Sequence, residues 1–310
     1  MTSTVVRFGL VGLGKIARDE HLPAIARTPG AELLAVASRN ARAAQLRNYP
    51  DLPSMLAAEP AINAVVLCQP PQARFESARA ALLAGKHVFL EKPPGATLSE
   101  VAVLTELARA QRVTLFASWH SRWSAPVAAF KAWCTEHPVR SVTIRWKEDV
   151  RRWHPGQDWI WQPGGFGVLD PGINALSILT EVLPERVRLT AARLEVPANR
   201  GAPIGATMQM QTASGAPVSA EFDWRQTGPQ TWEIVAQADG ASYRFAQGGE
   251  DAASLASEQE STLAPEYRAM YRHFVALVRN GASDVDLAPL QLVADAFMCG
   301  QIVTAEPFVD

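Results

Sequence analysis

Short apolar runs alternate with alanine-rich helical stretches through the first ~120 residues of the chain. The runs lie at residues 5–12, 32–38, 64–68, 87–91 and 113–118. Each run has the length of a strand, and the alternation is typical of parallel strands joined by crossover helices. We therefore predict that residues 1–119 form a first domain of the α/β class, with a doubly wound parallel sheet.

The hydrophobic pattern changes after Trp119. Polar and apolar residues now alternate with period two, as expected of strands that have one covered face. This pattern occupies residues 141–149, 206–212 and 218–225. Asp239-Gly240 lies between two more strand-like runs and indicates a hairpin, and helical patterns follow at 265–280 and 289–304. Residues 120–310 are predicted to form an α+β domain with a mainly antiparallel, open-faced sheet.

Composition and charge exclude several classes of partner. The 310 residues include 29 basic and 31 acidic ones, and no basic run is present, so nucleic acid is not expected to bind. No apolar stretch approaches the ~18 residues of a membrane span, and the N-terminus lacks the features of a secretory leader. The cysteines have neither metal nor disulfide spacing, which predicts a reducing, cytoplasmic location and no metal site.

A glycine-rich motif follows the first strand. Gly12-x-Gly14-x-x-Ala17 is the dinucleotide fingerprint, in which small residues allow a tight turn and the approach of a pyrophosphate to the backbone. The pyrophosphate would bind the N–H groups of a helix that begins near Lys15 and Ile16. The alternative is an ordinary glycine-rich turn. The position between strand and helix favours a Rossmann domain that binds its cofactor through these residues.

The end of the second run indicates which nucleotide binds. Ser38 and Arg39 stand where NAD-binding domains usually offer an acid to the ribose. A hydroxyl beside a guanidinium is expected to hold a 2′-phosphate, which favours NADP over NAD. Alternatively, Arg39 is solvated or stacks on the adenine. Gln69 and Pro70, after the run at 64–68, are predicted to border the cofactor.

Lys92 lies in the stretch L-E-K-P-P-G-A-T at 90–97. Pro93 and Pro94 remove two backbone donors, so the strand is predicted to end at Glu91-Lys92. In an open α/β sheet, ligands bind at this carboxyl edge. The alternative is an ordinary surface lysine. Thr97-x-x-Glu100 then predicts a capping box at the start of the next helix.

A second candidate motif is G-G-F-G-V-L-D-P-G-I-N at 164–174. Asp170 and Asn174 are four residues apart, and on a helix they would share a face. Asp170 before Pro171 also fits the pattern of a helix N-cap without a catalytic role.

These residues together resemble the glucose-fructose oxidoreductase and inositol dehydrogenase family (Gfo/Idh/MocA). The matching features are G-x-G-x-x-A at 12–17, H-L-P-A at 21–24, E-K-P at 91–93 and G-G-x-G-x-x-D-x-G ending at 172. The segment E-K-P-P-G-A-T-L-S-E at 91–100 is most similar to the corresponding segment of the aldose 1-dehydrogenases that act on D-galactose or L-arabinose. The resemblance implies an NAD(P)-dependent enzyme whose second domain binds the sugar and associates into a homo-oligomer through its open sheet.

One position departs from the family pattern. The family commonly has histidine four residues after the aspartate, and this chain has Asn174. Asparagine cannot act as a general base but can orient a hydroxyl. The resemblance implies that the aldose dehydrogenases use Lys, Asp and Asn here, so Lys92, Asp170 and Asn174 are the expected catalytic and sugar-binding residues. Hydride would leave C1 for the nicotinamide, and the 1-hydroxyl would lose its proton to Lys92 or Asp170, giving a lactone; Glu91 and Lys92 are also expected to contact the cofactor.

Further sugar contacts are predicted from aromatic and polar residues. The segment 147–161 holds three tryptophans, a histidine and several acids, which together offer flat apolar faces and fixed polar groups. The predicted contacts are His120, Glu148, Trp153, His154 and Trp232. The alternatives are a structural role for His120, and tryptophans that belong to a core or subunit interface.

Two other functions stay open at this point. One is oxidation of another sugar, an inositol or a diol within the same family, which the missing histidine disfavours. The other is a non-catalytic, sugar-responsive regulator on the same fold, which the presence of Lys92 and Asp170 disfavours. D-galactose and L-arabinose differ mainly at C5, a small steric difference, so the residues do not decide between them.

Overall fold

The computed structural model describes residues 5–247 and 263–309. They belong to two compact units. The first comprises Met1–Trp123 with Ser261–Asp286, and the second comprises Ser124–Glu260 with Leu287–Asp310. Residues 263–286 thus group with the first unit, whereas the boundary predicted from sequence after Trp119 assigned them to the second domain.

The first unit is built on a six-stranded parallel sheet in the order β3-β2-β1-β4-β5-β6. Its strands are β1 (Val6–Val11), β2 (Ala31–Ala37), β3 (Arg47–Tyr49), β4 (Ala64–Leu67), β5 (His87–Leu90) and β6 (Leu115–Ala117). Its connecting helices are α1 (Leu22–Ala26, preceded by a π-helical turn Ala17–His21), α2 (Leu52–Ala58), α3 (Phe75–Leu83) and α4 (Leu98–Gln111). The predicted doubly wound sheet is confirmed, and its order reverses between β1 and β4, where such folds bind ligands.

The second unit contains a seven-stranded sheet in the order β12-β11-β7-β10-β9-β8-β13. Its strands are β7 (Ser141–Lys147), β8 (Val187–Pro197), β9 (Gly205–Thr212), β10 (Pro217–Asp223), β11 (Thr231–Ala238), β12 (Ala241–Gln247) and β13 (Gln301–Ala305). The helices that follow α4 are α5 (Ala125–Glu136), α6 (Val150–Trp153), α7 (Leu169–Val182), α8 (Ala264–Asn280) and α9 (Ala288–Cys299), of which α8 belongs to the first unit. Only β7–β10 and β8–β13 pair in parallel, so the predicted mainly antiparallel sheet is confirmed.

The apolar runs of the first unit are buried on both faces of its sheet. Val66 and Phe89 face a core that includes Tyr271 and Phe274 of α8. The alternate residues, such as Val65 and Leu90, face a second core on the other side. A strand covered on both faces needs apolar side chains at every position, and this requirement explains why the sequence shows continuous runs here.

The second sheet has one covered face. Along β9 and β10 the side chains of Met208, Met210 and Phe222 are buried, whereas Gln209 and Glu221 on the other face are exposed. Helix α7 lies on the covered side, and a Cβ on its Gly172 would come within 2.9 Å of the Phe222 ring. Glycine at this position therefore lets the first turn of α7, which carries Asp170, pack closely on the sheet.

Some elements differ from the sequence prediction. The helix predicted over 289–304 is wrong at its end, because α9 stops at Cys299 and residues Gln301–Ala305 form the edge strand β13. Ile302, Val303 and Thr304 are β-branched and favour this extended conformation. Strands β3 and β8 were also not predicted. No helix in the described residues is long and apolar enough to cross a membrane.

Candidate active site

Gly12 and Gly14 differ in their surroundings. Gly12 has a φ of +91°, and a Cβ there would lie 2.9 Å from the backbone nitrogen of Gln69, so the turn and the neighbouring loop require glycine. A Cβ on Gly14 would meet no atom within 4 Å. Nothing in the surrounding protein requires glycine at Gly14, and open space in front of a helix that starts at Lys15 fits a site for a pyrophosphate.

The other residues predicted to hold the nucleotide border the same sheet edge. Ser38 is half-buried and follows β2 directly, with its N–H donating to Tyr49 O at 2.9 Å, and Arg39 beside it is exposed. Ile16 is half-buried in the first helical turn, while Lys15 is exposed and pairs with Asp19. Arg39 is therefore accessible to a phosphate in solution.

The loop after β4 presents an unsatisfied polar atom. The side-chain oxygen of Gln69 is buried and has no hydrogen-bond partner among the described residues. Such acceptors are normally satisfied in folded proteins, so an acceptor left over at a ligand edge fits a donor from a bound molecule. Together with Gly14, Gln69 and the adjacent Pro70 fit a dinucleotide at this edge.

Lys92 lies just beyond the carboxyl end of β5, which stops at Leu90, two residues earlier than the prolines alone required. The Lys92–Pro93 peptide is cis. The lysine is half-buried, and its backbone N–H donates to the carboxylate of Glu91. The predicted N-cap of α4 is confirmed, because Thr97 Oγ1 accepts from the Glu100 N–H at 3.2 Å. The second bond differs from that of a capping box, because Glu100 accepts from the N–H of Ala96 at 3.0 Å, one residue before the N-cap.

Glu91 is a buried carboxylate with several donors around it. His21 Nε2 lies 3.3 Å from its Oε1, the hydroxyl of Tyr267 donates to the same oxygen, and Ser118 Oγ donates to Oε2 at 3.4 Å. Burial raises the pKa of Glu91, but the hydrogen bond and charge of His21 outweigh burial and hold it at about 2. The predicted cofactor contact of Glu91 stays a prediction, and its described bonds point into the protein.

His21 carries the positive charge of this network. Burial lowers its pKa, yet the sulfur of Cys68 and the carboxylate of Glu91 together raise the pKa to about 10. Its Nδ1 lies 2.6 Å from the hydroxyl of Tyr271. The raised pKa favours the imidazolium form of His21 at neutral pH, in which both ring nitrogens are donors.

His120 occupies a short 3-10 turn, His120–Trp123, after β6. Its Nδ1 lies 2.8 Å from Glu266 Oε2, its ring stacks on Tyr267 at 5.6 Å, and only 6% of the residue is exposed. These contacts give Nδ1 of the ring a partner within the protein, as expected of a structural histidine. A sugar contact from His120 stays a prediction.

In the second unit, Asp170 and Asn174 share α7. Asp170 is 2% exposed and Asn174 is half-buried. The N-cap of α7 is Val168, so Asp170 lies within the first turn and the N-cap alternative is wrong. Gly167 before the helix has a φ of +55°, and a Cβ there would lie 2.2 Å from Pro203 O. Glycine at position 167 therefore lets the chain pass close to the backbone of Pro203 directly before α7 begins.

A polar cluster surrounds Asp170 in this unit. His154 Nε2 lies 4.0 Å from Asp170 Oδ2 and 3.8 Å from Glu148 Oε1. Glu148 is 3% exposed and accepts from the indole N–H groups of Trp224 and Trp232 at 3.2 and 2.9 Å. The structure thus brings together two buried carboxylates and a histidine that the sequence placed in separate motifs.

Tryptophans border this cluster. The Trp232 ring stacks on Trp146 at 5.6 Å and lies 5.4 Å from Trp153. The Trp153 indole nitrogen is buried and has no hydrogen-bond partner among the described residues. A flat aromatic surface with an available donor fits a polyhydroxylated ring. Trp161, by contrast, is 6% exposed and belongs to the core, as the alternative interpretation held.

Several residues of these clusters were not predicted from the sequence. They are Tyr267, Tyr271 and Trp224, together with Arg74, which donates to the main-chain carbonyl of Glu91. His21 had a signal, because it lies in the H-L-P-A motif, but no role was assigned to it. The others come from distant segments with no motif, so only the folded chain reveals them.

The chain is similar to known proteins over almost its whole length. A family model described as an oxidoreductase family with an NAD-binding Rossmann fold (Gfo/Idh/MocA) matches residues 6–118. A galactose 1-dehydrogenase from Pseudomonas fluorescens is 42% identical over 305 residues, which are 98% of this chain and 99% of that protein. The chain belongs to the Gfo/Idh/MocA family. The resemblance stated from the motifs is confirmed.

The chain is also similar to solved structures in its three-dimensional fold. A D-galactose-1-dehydrogenase protein from Rhizobium etli is 51% identical with a TM-score of 0.91, covering 100% of this chain and 99% of that one. The GenD2 protein from gentamicin A biosynthesis, in complex with NAD, has a TM-score of 0.82 at 18% identity, with 95% and 93% covered. That likeness shows a shared fold.

The contrast between the two glycines generates a prediction. Gly14→Ala should leave the midpoint of thermal unfolding nearly unchanged, since its Cβ enters open space, and should weaken nucleotide binding about tenfold or more by blocking the pyrophosphate. Gly12→Ala is the matched control and should lower the unfolding midpoint, because of its positive φ and close contact. Calorimetric titration with NADP+ beside thermal unfolding checks both. Wild-type affinity in Gly14→Ala would show that the nucleotide does not approach this turn.

The His21–Glu91 ion pair generates a second prediction, through the pH dependence of stability. Because the pKa of His21 is raised, its ionisation stabilises the folded state fully below about pH 6.5, and this stabilisation is lost as pH rises towards 10. Because the pKa of Glu91 is lowered, its ionisation stabilises the folded state fully above about pH 4.5, and this stabilisation is lost as pH falls towards 2. Glu91→Gln should therefore lower the free energy of unfolding most between pH 4.5 and 6.5, by about 3–5 kcal/mol, and by less on either side of this range. Denaturant unfolding of both proteins across this range measures the difference.

Glu59→Gln is the control for that experiment. Glu59 is also buried but pairs with Arg47, whose pKa is raised by the same contact, so this pair keeps its charge throughout the alkaline range. The loss of unfolding free energy caused by Glu59→Gln should stay constant from pH 6.5 to 10. A cost of Glu91→Gln that is equally constant would mean that His21 is not an imidazolium.

Proposed function

We propose that the protein is an NADP-preferring aldose 1-dehydrogenase that oxidises D-galactose, L-arabinose or both at C1 to the aldonolactone. The observation that carries this proposal is the end-to-end identity, 42% and 51%, with two galactose 1-dehydrogenases. The likeness spans the substrate unit as well as the nucleotide unit. A family member acting on a different substrate class would be expected to diverge most in the substrate unit.

The reaction removes a hydride from C1 and a proton from the 1-hydroxyl, leaving a C1 carbonyl. A bound nicotinamide supplies the hydride acceptor. The proton goes to one of two groups, Lys92 or Asp170, and Asn174 orients a sugar hydroxyl because an amide donates and accepts without titrating.

The sugar is held by the tryptophan cluster of the second unit. Trp153 offers its indole N–H to a ring hydroxyl, and the face of Trp232 offers apolar surface to the C–H groups of a pyranose. Glu148 binds two indoles, so in this proposal it orients the aromatic surface as well as contacting the sugar. His154 lies between Glu148 and Asp170 and completes the polar side of the pocket.

The test is a set of initial rates of nicotinamide reduction. NADP+ and NAD+ are each offered with D-galactose, L-arabinose, D-glucose and myo-inositol. Fast oxidation of galactose or arabinose, with the lactone as product, is the expected outcome. Turnover of myo-inositol alone would place the chain in another branch of the family. Nucleotide binding without turnover of any substrate would favour the non-catalytic regulator.

Asp170→Asn tests the catalytic assignment. The amide keeps the shape of the carboxylate but cannot take a proton, so kcat should fall by about 10²–10⁴-fold. Asp158→Asn is the control, since Asp158 is an exposed acid of the neighbouring turn Asp158–Trp161 and its loss should leave kcat unchanged. A kcat within about twofold of wild type in Asp170→Asn would remove Asp170 from the reaction.

Arg39→Ala tests the nucleotide preference. Loss of a charge-assisted contact to the 2′-phosphate should raise KM for NADP+ by about 10–100-fold and leave KM for NAD+ unchanged. Arg79→Ala removes another exposed arginine of the same unit, one that pairs with Glu76, and should change neither constant. Equal effects of Arg39→Ala on both nucleotides would show that Arg39 contacts the adenine instead.

A further inference from the structure

Arg74 is a buried arginine next to the two loops that carry Gln69 and Lys92. It is 2% exposed and lies directly before α3. Its side chain does not extend into solvent, as most arginines do. An arginine buried this deeply must place several N–H donors on fixed acceptors, so its partners indicate what it holds.

The described partners of Arg74 are main-chain carbonyls from two loops. Its Nη1 donates to the carbonyl oxygens of Glu91 and Pro93, the residues on either side of Lys92. Its Nε donates to the carbonyl of Gln69 at 3.1 Å, and Nη2 donates to the same oxygen. One guanidinium therefore spans the loop after β4 and the loop after β5.

We propose that Arg74 is a positioning residue for the reaction, which fixes the backbone on both sides of Lys92 and ties it to the loop of Gln69. The inference rests on the proposed function, since that function makes Lys92 a catalytic residue. Arg74 acts through the main chain and contacts neither sugar nor nucleotide in this proposal. The Glu91 carboxylate, which accepts the Lys92 N–H, holds the same segment from its other side.

The geometry of the side chain explains why arginine is needed. Its planar fork presents donors in fixed directions, so one residue reaches acceptors on two loops at once. A lysine ammonium has three donors on a flexible stem and cannot span both loops with the same geometry. A misplacement of about 1 Å in a catalytic group can cost on the order of 10² in rate. The effect of losing Arg74 is therefore expected in the chemical step.

The experiment compares Arg74→Gln and Arg74→Lys with wild type, using the sugar that wild type oxidises fastest. In Arg74→Gln, kcat should fall about 10²-fold while KM for the sugar changes less than about threefold, because the displaced groups are Lys92 and the Gln69 loop and not the sugar contacts of the second unit. Deuterium at C1 of the sugar should give a larger isotope effect on kcat than in wild type, as hydride transfer becomes rate-limiting. Arg74→Lys should give intermediate values.

Arg47→Gln is the control for general destabilisation. Arg47 lies on β3 at the opposite side of the sheet from β5 and pairs with the buried Glu59. Its loss should lower the unfolding midpoint without changing kcat per folded molecule or the isotope effect. An Arg74→Gln enzyme with wild-type kcat and isotope effect, or one whose kcat and KM for the sugar deteriorate together, overturns the proposal.

A readout without turnover separates this inference from the proposed function. Hydrogen exchange of the Lys92 amide, followed by NMR in the folded protein, should accelerate at least tenfold in Arg74→Gln and stay unchanged in Arg47→Gln. If wild type oxidises no aldose, the proposed function fails, and the exchange rate still decides whether Arg74 fixes the segment. Unchanged exchange in Arg74→Gln overturns the positioning role in either case.

Discussion

The first unit depends on a charged group buried at the carboxyl edge of its sheet. Glu91 is removed from water, and a carboxylate in that position is tolerated only when donors surround it. His21, Tyr267, Ser118 and the Lys92 amide supply those donors from four separate parts of the chain. The requirement to satisfy one carboxylate therefore fixes the first helical turn, the end of β6, the start of α8 and the segment at Lys92 relative to one another. Removing either partner of the His21–Glu91 pair would leave an uncompensated charge in the interior, which is strongly destabilising.

The sequence predicted the parts of the fold that local patterns specify. Continuous apolar runs gave five of the parallel strands, since strands covered on both faces need apolar residues throughout. The same reasoning missed β3, whose three residues Arg47–Tyr49 are polar, and β8, whose exposed arginines and threonine obscure its alternation. It also extended α9 through Gly300, although the following β-branched residues pair with β8 as a strand. These elements are determined by pairing with distant strands, which a local pattern does not contain.

The candidate site shows the same division. Glycine permits conformations that other residues avoid and proline removes a backbone donor, so the motifs around Gly12, Lys92 and the start of α7 could be recognised from the sequence. The convergence of Glu148, His154 and Asp170 could not, because it depends on β7, α6 and α7 packing together. Neither could the role of Arg74, whose partners are carbonyl groups that every residue carries. Side chains that bind the main chain leave no pairing signal in a single sequence.

The place of α8 in the chain has a consequence for how the protein is made. This helix follows the second unit in sequence, yet its Tyr267, Tyr271 and Phe274 complete the core of the first unit. The ribosome has therefore released almost nine-tenths of the chain before the first sheet acquires that cover and the buried carboxylate acquires its tyrosine. Until then, this face of the nascent sheet is without the cover that α8 provides, and exposed apolar surface of this kind makes a folding intermediate prone to aggregation.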